Sequence, residues 1–123
     1  MIVETFPVGR LQCNCTILGD EASREAIVID PGGDADLILQ QLNAHGLTLK
    51  HIVCTHAHID HVGGIWDLQQ ITGTSAAIHK GDMVLFENLD LQAQWLQIET
   101  PKTGHIETFL KDVGDGWLVE LWK

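Results

Sequence analysis

The chain carries little positive charge. Only 7 Lys and Arg side chains stand against 17 Asp and Glu side chains, so the formal net charge is -10 over 123 residues. A surface of this kind repels the phosphates of nucleic acids and the headgroups of anionic lipids. The composition therefore argues against nucleic acid and against a membrane surface as partners.

Long apolar runs are also missing from the sequence. No run approaches the roughly 20 apolar residues that span a bilayer, and the first residues lack a basic stretch followed by an apolar region. We therefore expect neither a membrane span nor a signal peptide. Cysteine is sparse and odd in number, at positions 13, 15 and 54, with a spacing that rarely gives a disulfide. Such thiols are typical of a reducing compartment, and the expected location is cytoplasmic.

The remaining composition, 45% hydrophobic, predicts one globular domain over residues 1–123. Apolar runs predict strands at 2–6, 14–18, 26–29, 49–55 and 76–78. Helices are expected at about 35–45, where Asp34 can form the cap, and at 63–70 and 81–87. We expect an irregular segment up to Pro101 and two further strands at 109–110 and 117–121. The strand, helix, strand order over residues 26–55 predicts a parallel pair, and the fold class is α/β.

Three histidines and an aspartate lie within six residues, at His56, His58, Asp60 and His61. They follow a buried apolar run and precede Gly63-Gly64. Imidazole and carboxylate suit zinc, iron and manganese. Because alternate residues of an extended segment share a side, His56 and His58 can converge on one cation, and the other two can serve a second. The alternative is an ordinary polar surface loop.

This segment resembles the signature of the metallo-β-lactamase superfamily. Three motifs occur in the order and at the spacing of its glyoxalase II-like hydrolases: Asn14-Cys15, Ile29-Asp30-Pro31-Gly32-Gly33, and Thr55 to Gly64. The similarity covers most of this chain but only the N-terminal half of a typical member. The chain is therefore expected to be a single domain of this type, truncated at its C-terminus.

The resemblance implies a site with two metal ions, zinc by default, with iron or manganese as alternatives. His56 and His58 would bind the first ion, and Asp60 and His61 the second. Asp60 is also the residue to which we assign a catalytic role. Asp30 would position the ligands, although Asp-Pro-Gly is equally plain turn chemistry. The family's other ligands come from Pro-Gly-His, Gly-Asp and Gly-His segments that follow an Asp-Gly-Asp turn, which Lys111 to Gly116 resembles. Gly104-His105 precedes that turn, so its order does not match, and residues 1–123 stop before the family's further ligand segments.

The implied fold is half of an αββα sandwich, with one mixed sheet and helices on one face. The implied function is hydrolysis of a small thioester or ester by a metal-bound hydroxide. A metal-binding or self-associating half-domain without turnover is the alternative, and a lactamase or an iron-dependent oxygenase are lesser ones. A half sandwich leaves one sheet face uncovered, so we expect a partner, and a homodimer is the simplest.

Overall fold

A computed structural model of the protein describes residues 1–55, 59–99, 102 and 104–110. Its centre is a six-stranded sheet in which the strands follow one another in chain order. The strands are β1 (Ile2–Val8), β2 (Cys13–Gly19), β3 (Glu25–Ile29), β4 (Thr48–Cys54), β5 (Ser75–His79) and β6 (Ile106–Leu110). The first two pairs are antiparallel and the last three are parallel, so the sheet is mixed, as the sequence predicts.

Helices occupy the connections between the parallel strands. They are α1 (Ala35–Ala44), α2 (Ile59–Val62), α3 (Ile65–Thr72), α4 (Met83–Glu87) and α5 (Leu89–Leu96), with a 3-10 turn at Lys80–Asp82. Because parallel crossovers are right-handed and the strands advance in one direction, the crossover helices lie on one face of the sheet. The α/β fold with helices on one face is therefore confirmed.

The core lies between this helical layer and the sheet. It takes alternate strand residues, such as Val28, Ile52 and Ile78, together with the apolar stripes of α1 and α3, such as Ile38 and Leu68. The intervening residues Ile27, Val53 and Ala77 point to the other side of the sheet. They are also buried in the single chain. The central strands are thus apolar on both faces, as buried parallel strands usually are.

Several expectations need correction. The segment before Pro101 is not irregular: α5 forms there because Leu89 and Ala93, four residues apart, are buried on one side of a helix. The helix expected at 63–70 begins two residues later, after the short α2. Asp34 occupies the N-cap position of α1 but adopts a left-handed conformation and makes no capping hydrogen bond. Its carboxylate instead accepts a hydrogen bond from the backbone N–H of Gly9, at 2.9 Å.

The remaining strand predictions have mixed outcomes. β6 contains the predicted pair 109–110, whereas 117–121 lies outside the described residues. The predicted strands at 14–18 and 26–29 lie within β2 and β3, which pair antiparallel as a hairpin. Over the described part of the chain, no helix is long and apolar enough to cross a membrane.

Candidate metal centre

The candidate site starts where β3 and β4 end side by side. The two strands are parallel and in register, with Ile29 opposite Val53, so the residues that follow them meet at the same edge of the sheet. Asp30 follows β3 and Thr55 follows β4. In parallel α/β sheets this carboxyl edge is the usual place for functional groups.

Asp30 is held in an uncommon backbone conformation. Its φ angle is +57°, in the left-handed region that non-glycine residues seldom adopt. Two backbone hydrogen bonds fix it there: its N–H donates to the carbonyl of Val53, and its own carbonyl accepts from Gly32, both at 2.9 Å. The turn after β3 is thereby joined to β4, and the carboxylate is directed toward the end of β4.

The Asp30 carboxylate lies at the centre of a buried hydrogen-bond network. One oxygen accepts from the Thr55 N–H at 2.7 Å, and the other accepts from the Thr55 hydroxyl at 2.5 Å. The second oxygen also lies 3.1 Å from Nδ1 of His61, and the Asp30 side chain is only 9% exposed. A buried carboxylate costs free energy unless it is paired, and here it has three partners.

His61 lies on the short helix α2, and the contacts that position its ring are made through Nδ1. Besides the Asp30 oxygen, Nδ1 lies 3.4 Å from Sγ of Cys13, the first residue of β2. Both contacts involve the same ring nitrogen. A metal ion on Nε2 would complete the arrangement common to metal-binding histidines, in which a carboxylate holds the other nitrogen.

The three cysteines lie close to this network but remain thiols. None of the three forms a disulfide, and all three are buried. Burial raises the pKa of Cys15 to about 12, with further contributions from the negative charge of Asp30 and from Cys13. Burial also raises the pKa of Cys54 well above its ordinary value, again with Asp30 as the next cause. Cys15 and Cys54 are therefore protonated at neutral pH and unsuited to act as nucleophiles or thiolate ligands.

The backbone around the site is closely packed through glycine. The N–H of Gly64, just after α2, donates to the carbonyl of Pro31 at 2.7 Å. A Cβ atom at Gly64 would lie 2.6 Å from that same oxygen, so a side chain there would separate the two segments. This contact holds the start of α3 against the turn that contains Asp30, which explains why Gly-Gly follows the histidine segment.

Of the predicted site residues, the structure brings Asp30 and His61 together. Asp60 is in α2, but its side chain lies outside the described part, and so do His56 and His58. Among the residues that the structure does describe, no group of three or more His, Cys, Asp or Glu side chains is arranged to hold a metal ion. The four-residue ligand set thus stays a prediction.

Two residues of the network had no assigned role in the sequence analysis. Thr55 is the first residue of the histidine segment, and its position after a strand gave the only available signal. Cys13 gave none, because 48 residues separate it from His61 and only the pairing of strands brings them together. Long-range contacts of this kind have no local pattern in the sequence.

Comparison with known proteins places this architecture in a family. The family model of the metallo-β-lactamase superfamily matches residues 8–123. The chain belongs to the metallo-β-lactamase superfamily.

Two relatives of the chain are hydroxyacylglutathione hydrolases. The enzyme GloC of Haemophilus influenzae is 36% identical over 113 residues, which cover 91% of this chain and 50% of that protein. The hydroxyacylglutathione hydrolase of Ectopseudomonas mendocina is 39% identical over 102 residues, 73% of this chain and 39% of that protein. The glyoxalase II-like resemblance is thereby confirmed, and the chain spans half or less of the length of these two relatives.

Solved structures show the same fold. The B3 metallo-β-lactamase BLEG-1 superposes with a TM-score of 0.80 at 26% identity, over 90% of this chain and 54% of that one. The protein TTHA1623, in a di-iron-bound form, gives a TM-score of 0.76 at 27% identity, over 86% of this chain and 52% of that one. The sheet and helices described above are therefore about half of a metallo-β-lactamase fold.

Proposed function

We propose that this chain carries part of a metal-dependent hydrolase site that acts on a small thioester or ester. The observation that carries the proposal is the contact between the buried Asp30 carboxylate and Nδ1 of His61, at 3.1 Å. A carboxylate that fixes the ring of a histidine is the usual support for a metal ligand. The proposed reaction class comes from two relatives of this superfamily member, which are hydroxyacylglutathione hydrolases.

The donor groups suit the proposed metal ions. His56 and His58 would hold one ion, and Asp60 and His61 the other, by the order of the motif. Imidazole with carboxylate suits zinc, and the same set also suits iron or manganese. A structural neighbour in a di-iron-bound form supports the iron alternative. When bound, the ions would supply Lewis acidity that lowers the pKa of a water molecule and polarises a carbonyl group.

The residues of this chain contribute positioning. Asp30 joins the end of β3 to Thr55 and His61, so the histidine ring stays in one orientation relative to both strand ends. Fixed geometry of this kind can be worth orders of magnitude in rate. Asp60, one residue before His61, is the side chain that we propose to take part in the reaction. A thioester is the proposed substrate because both named relatives are hydroxyacylglutathione hydrolases.

A metal-binding half-domain without turnover is the second candidate. It is favoured by the observation that the described side chains contain no group of three or more His, Cys, Asp or Glu arranged to hold a metal ion. Catalytic zinc sites usually have three protein ligands, whereas each ion here would have two. Metal analysis and a thioester assay on the same preparation separate the two candidates.

The first test is metal content. Protein purified without chelator should contain zinc, iron or manganese, and the double variant His56→Ala with His58→Ala should lose most of it. A matched double variant, His45→Ala with His51→Ala, removes two imidazoles outside the motif and should keep the metal. Equal metal content in all three proteins would contradict the proposal.

The second test is turnover of a glutathione thioester with added zinc or manganese. The hydrolase proposal expects very low turnover for residues 1–123 by themselves, and Asp60→Ala should abolish it without loss of folding. The half-domain proposal expects bound metal and no turnover. Turnover that persists in Asp60→Ala would contradict the role that we give to that carboxylate.

Self-association is a further part of the proposal. The second sheet face, from which the sequence predicts a homodimer, is buried in the single chain at Ile27 and Val53. The exposed apolar side chains that a second copy could bury lie instead on α5, at Leu91, Trp95 and Leu96, with Trp95 91% exposed. Light scattering should show a dimer that Trp95→Glu dissociates; a 13.6 kDa species at all concentrations would contradict it. Three buried cysteines that form no disulfide support the cytoplasm as the proposed compartment.

A further inference from the structure

A small cleft opens beside the candidate metal centre. Its volume is about 240 Å³, and it lies between the β1–β2 loop, the turn after β3 and the segment that follows α5. The backbones of Gly9, Gly32, Gly33 and Gly63 contribute to its lining. Because these residues have no side chains, the cleft offers backbone surface and room for a ligand of a few atoms.

The cleft is fixed by contacts between its two walls. The N–H of Gly9 donates to the Asp34 carboxylate at 2.9 Å, and this hydrogen bond joins the carboxylate to the β1–β2 loop. A Cβ atom at Gly33 would lie 2.7 Å from the Cα of Gly9, so the two backbones touch. Gln12 closes the loop from the other end, with its side-chain amide donating to the Gly9 carbonyl at 2.9 Å. The shape therefore exists before any ligand binds.

Arg10 lines this cleft and differs in its contacts from the other cationic side chains that the structure describes. In the part of the chain whose side chains the structure describes, Arg24 donates to the His45 carbonyl at 3.2 Å, and Lys50 pairs with Glu25 at 2.8 Å. Lys102 lies 4.3 Å from the centre of the Trp66 ring. Among those same residues, the exposed Arg10 guanidinium has no hydrogen bond or ion pair. A protein with a net charge of -10 thus leaves a guanidinium open at the cleft.

Glu99 lines the same cleft and is also exposed. No ion pair within 4.0 Å joins it to Arg10, so the two opposite charges remain separate. A simple anion would meet Arg10 but would also be repelled by Glu99. A group that carries a carboxylate and an ammonium together satisfies both side chains, and an α-amino acid is the smallest common group of this kind.

The position of the cleft connects it to the chemistry proposed above. Gly63 follows His61 by two residues, and Cys13, at the end of the β1–β2 loop, contacts the His61 ring. We propose that the cleft binds an α-amino acid group on the thiol half of the substrate, with Arg10 on the carboxylate and Glu99 on the ammonium. This inference rests on the proposed hydrolase function, because it assigns the cleft to the substrate of that site.

Direct binding tests the inference without any need for turnover. The probe is S-methylglutathione, a thioether that the hydrolase cannot cleave and that ends in an α-amino acid group. Titration of the full chain, followed by amide chemical shifts, should move the signals of Gly9, Gly33 and Gly63. Arg10→Ala should raise the dissociation constant about five- to tenfold, as expected for loss of a charged hydrogen-bond pair in a partly exposed site.

A matched control separates position from net charge. Arg24→Ala removes the same charge from the β2–β3 hairpin and should leave the dissociation constant unchanged. The N-acetylated probe, which lacks the ammonium, should bind more weakly and should not respond to Glu99→Gln. Absence of binding, shifts confined to other regions, or equal affinity of the Arg10 and Arg24 variants would overturn the inference.

Metal content measured on the same samples distinguishes the two proposals. If wild-type protein holds metal at the histidine segment but does not bind the probe, only the proposal for the cleft is overturned. Protein that binds the probe through Arg10 but shows no motif-dependent metal overturns the hydrolase function alone, while the cleft remains an amino acid site.

Discussion

Two aspartates, each directly after a strand, accept hydrogen bonds in turns, but their partners lie at different distances along the chain. Asp20 begins the hairpin before β3, and its carboxylate accepts a hydrogen bond from the Ser23 N–H at 2.9 Å within its own turn. Asp30 begins the turn after β3, and its carboxylate bonds to Thr55 and His61 on other segments. Asp20 is partly exposed and Asp30 is buried. A turn aspartate becomes part of a site only when neighbouring strand ends enclose it.

The largest expected effect comes from removing the buried carboxylate. Asp30→Ala leaves the Thr55 donors and His61 without their partner and should lower the free energy of unfolding by about 3 kcal/mol. Asp20→Ala removes a solvated cap and should shift the denaturation midpoint far less. Urea denaturation of both variants measures the difference, and similar midpoints for the two would show that the Asp30 network contributes no more than a turn.

The next largest effect should be a loss of folding stability at alkaline pH. Unfolded thiols titrate near the ordinary value of 9.0, whereas burial raises the pKa of Cys15 to about 12. The folded state therefore favours the neutral thiol, and this stability is fully present below pH 9 and lost as the pH rises toward 12. The loss should be about 1.4 kcal/mol per pH unit for each such thiol.

Denaturation series between pH 7 and pH 11 test this dependence, and the chain has no tyrosine to titrate in that range. Cys54→Ala removes one of the two thiols with a raised pKa. The free energy of unfolding of this variant should therefore fall less between pH 7 and pH 11 than that of the wild type. A wild-type stability that stays constant up to pH 11 would contradict the burial of these thiols.

A smaller effect should follow from the Thr55 hydroxyl. Thr55→Val keeps the shape of the side chain but removes the donor that lies 2.5 Å from the Asp30 carboxylate. We expect a loss of about 1.5 kcal/mol, typical of a hydrogen bond to a charged group. In the hairpin, Ser23→Ala removes an exposed hydroxyl that accepts from Glu25 at 3.3 Å, and it should cost below about 0.5 kcal/mol. Thermal melts of the two variants measure both losses of stability. A larger loss for Ser23→Ala than for Thr55→Val would contradict this prediction.

The smallest effect concerns Asp20 in acid. Hydrogen bonds from Ser23, first from its backbone N–H and then from its hydroxyl, lower the pKa of the Asp20 carboxyl from the ordinary 3.8. The stability that this gives is present above that value and is lost as the pH falls through the lowered folded pKa. Asp20→Asn should therefore reduce the change in stability between pH 5 and pH 2, as measured by urea denaturation. An unchanged slope would mean that the hairpin does not use this charge.

The sequence by itself determined the elements whose signals are local. Apolar runs bounded by turn residues placed β2, β3 and β4 within a residue or two of their observed bounds. The strand, helix, strand order fixed the parallel pairing, because right-handed crossovers leave few topologies. The histidine segment also resembled the signature of the superfamily to which the chain belongs.

Only the tertiary structure decided how these elements meet. α5 escaped prediction because its buried positions, Leu89 and Ala93, acquire their meaning from the core on which they pack. The sequence predicts that Asp34 caps a helix, yet its carboxylate accepts a hydrogen bond from the N–H of Gly9, 25 residues away. The contacts of Asp30 and Cys13 with His61 likewise join segments far apart in the chain. Local preferences are set by neighbouring residues, whereas hydrogen bonds between segments depend on the pairing of strands that no local pattern records.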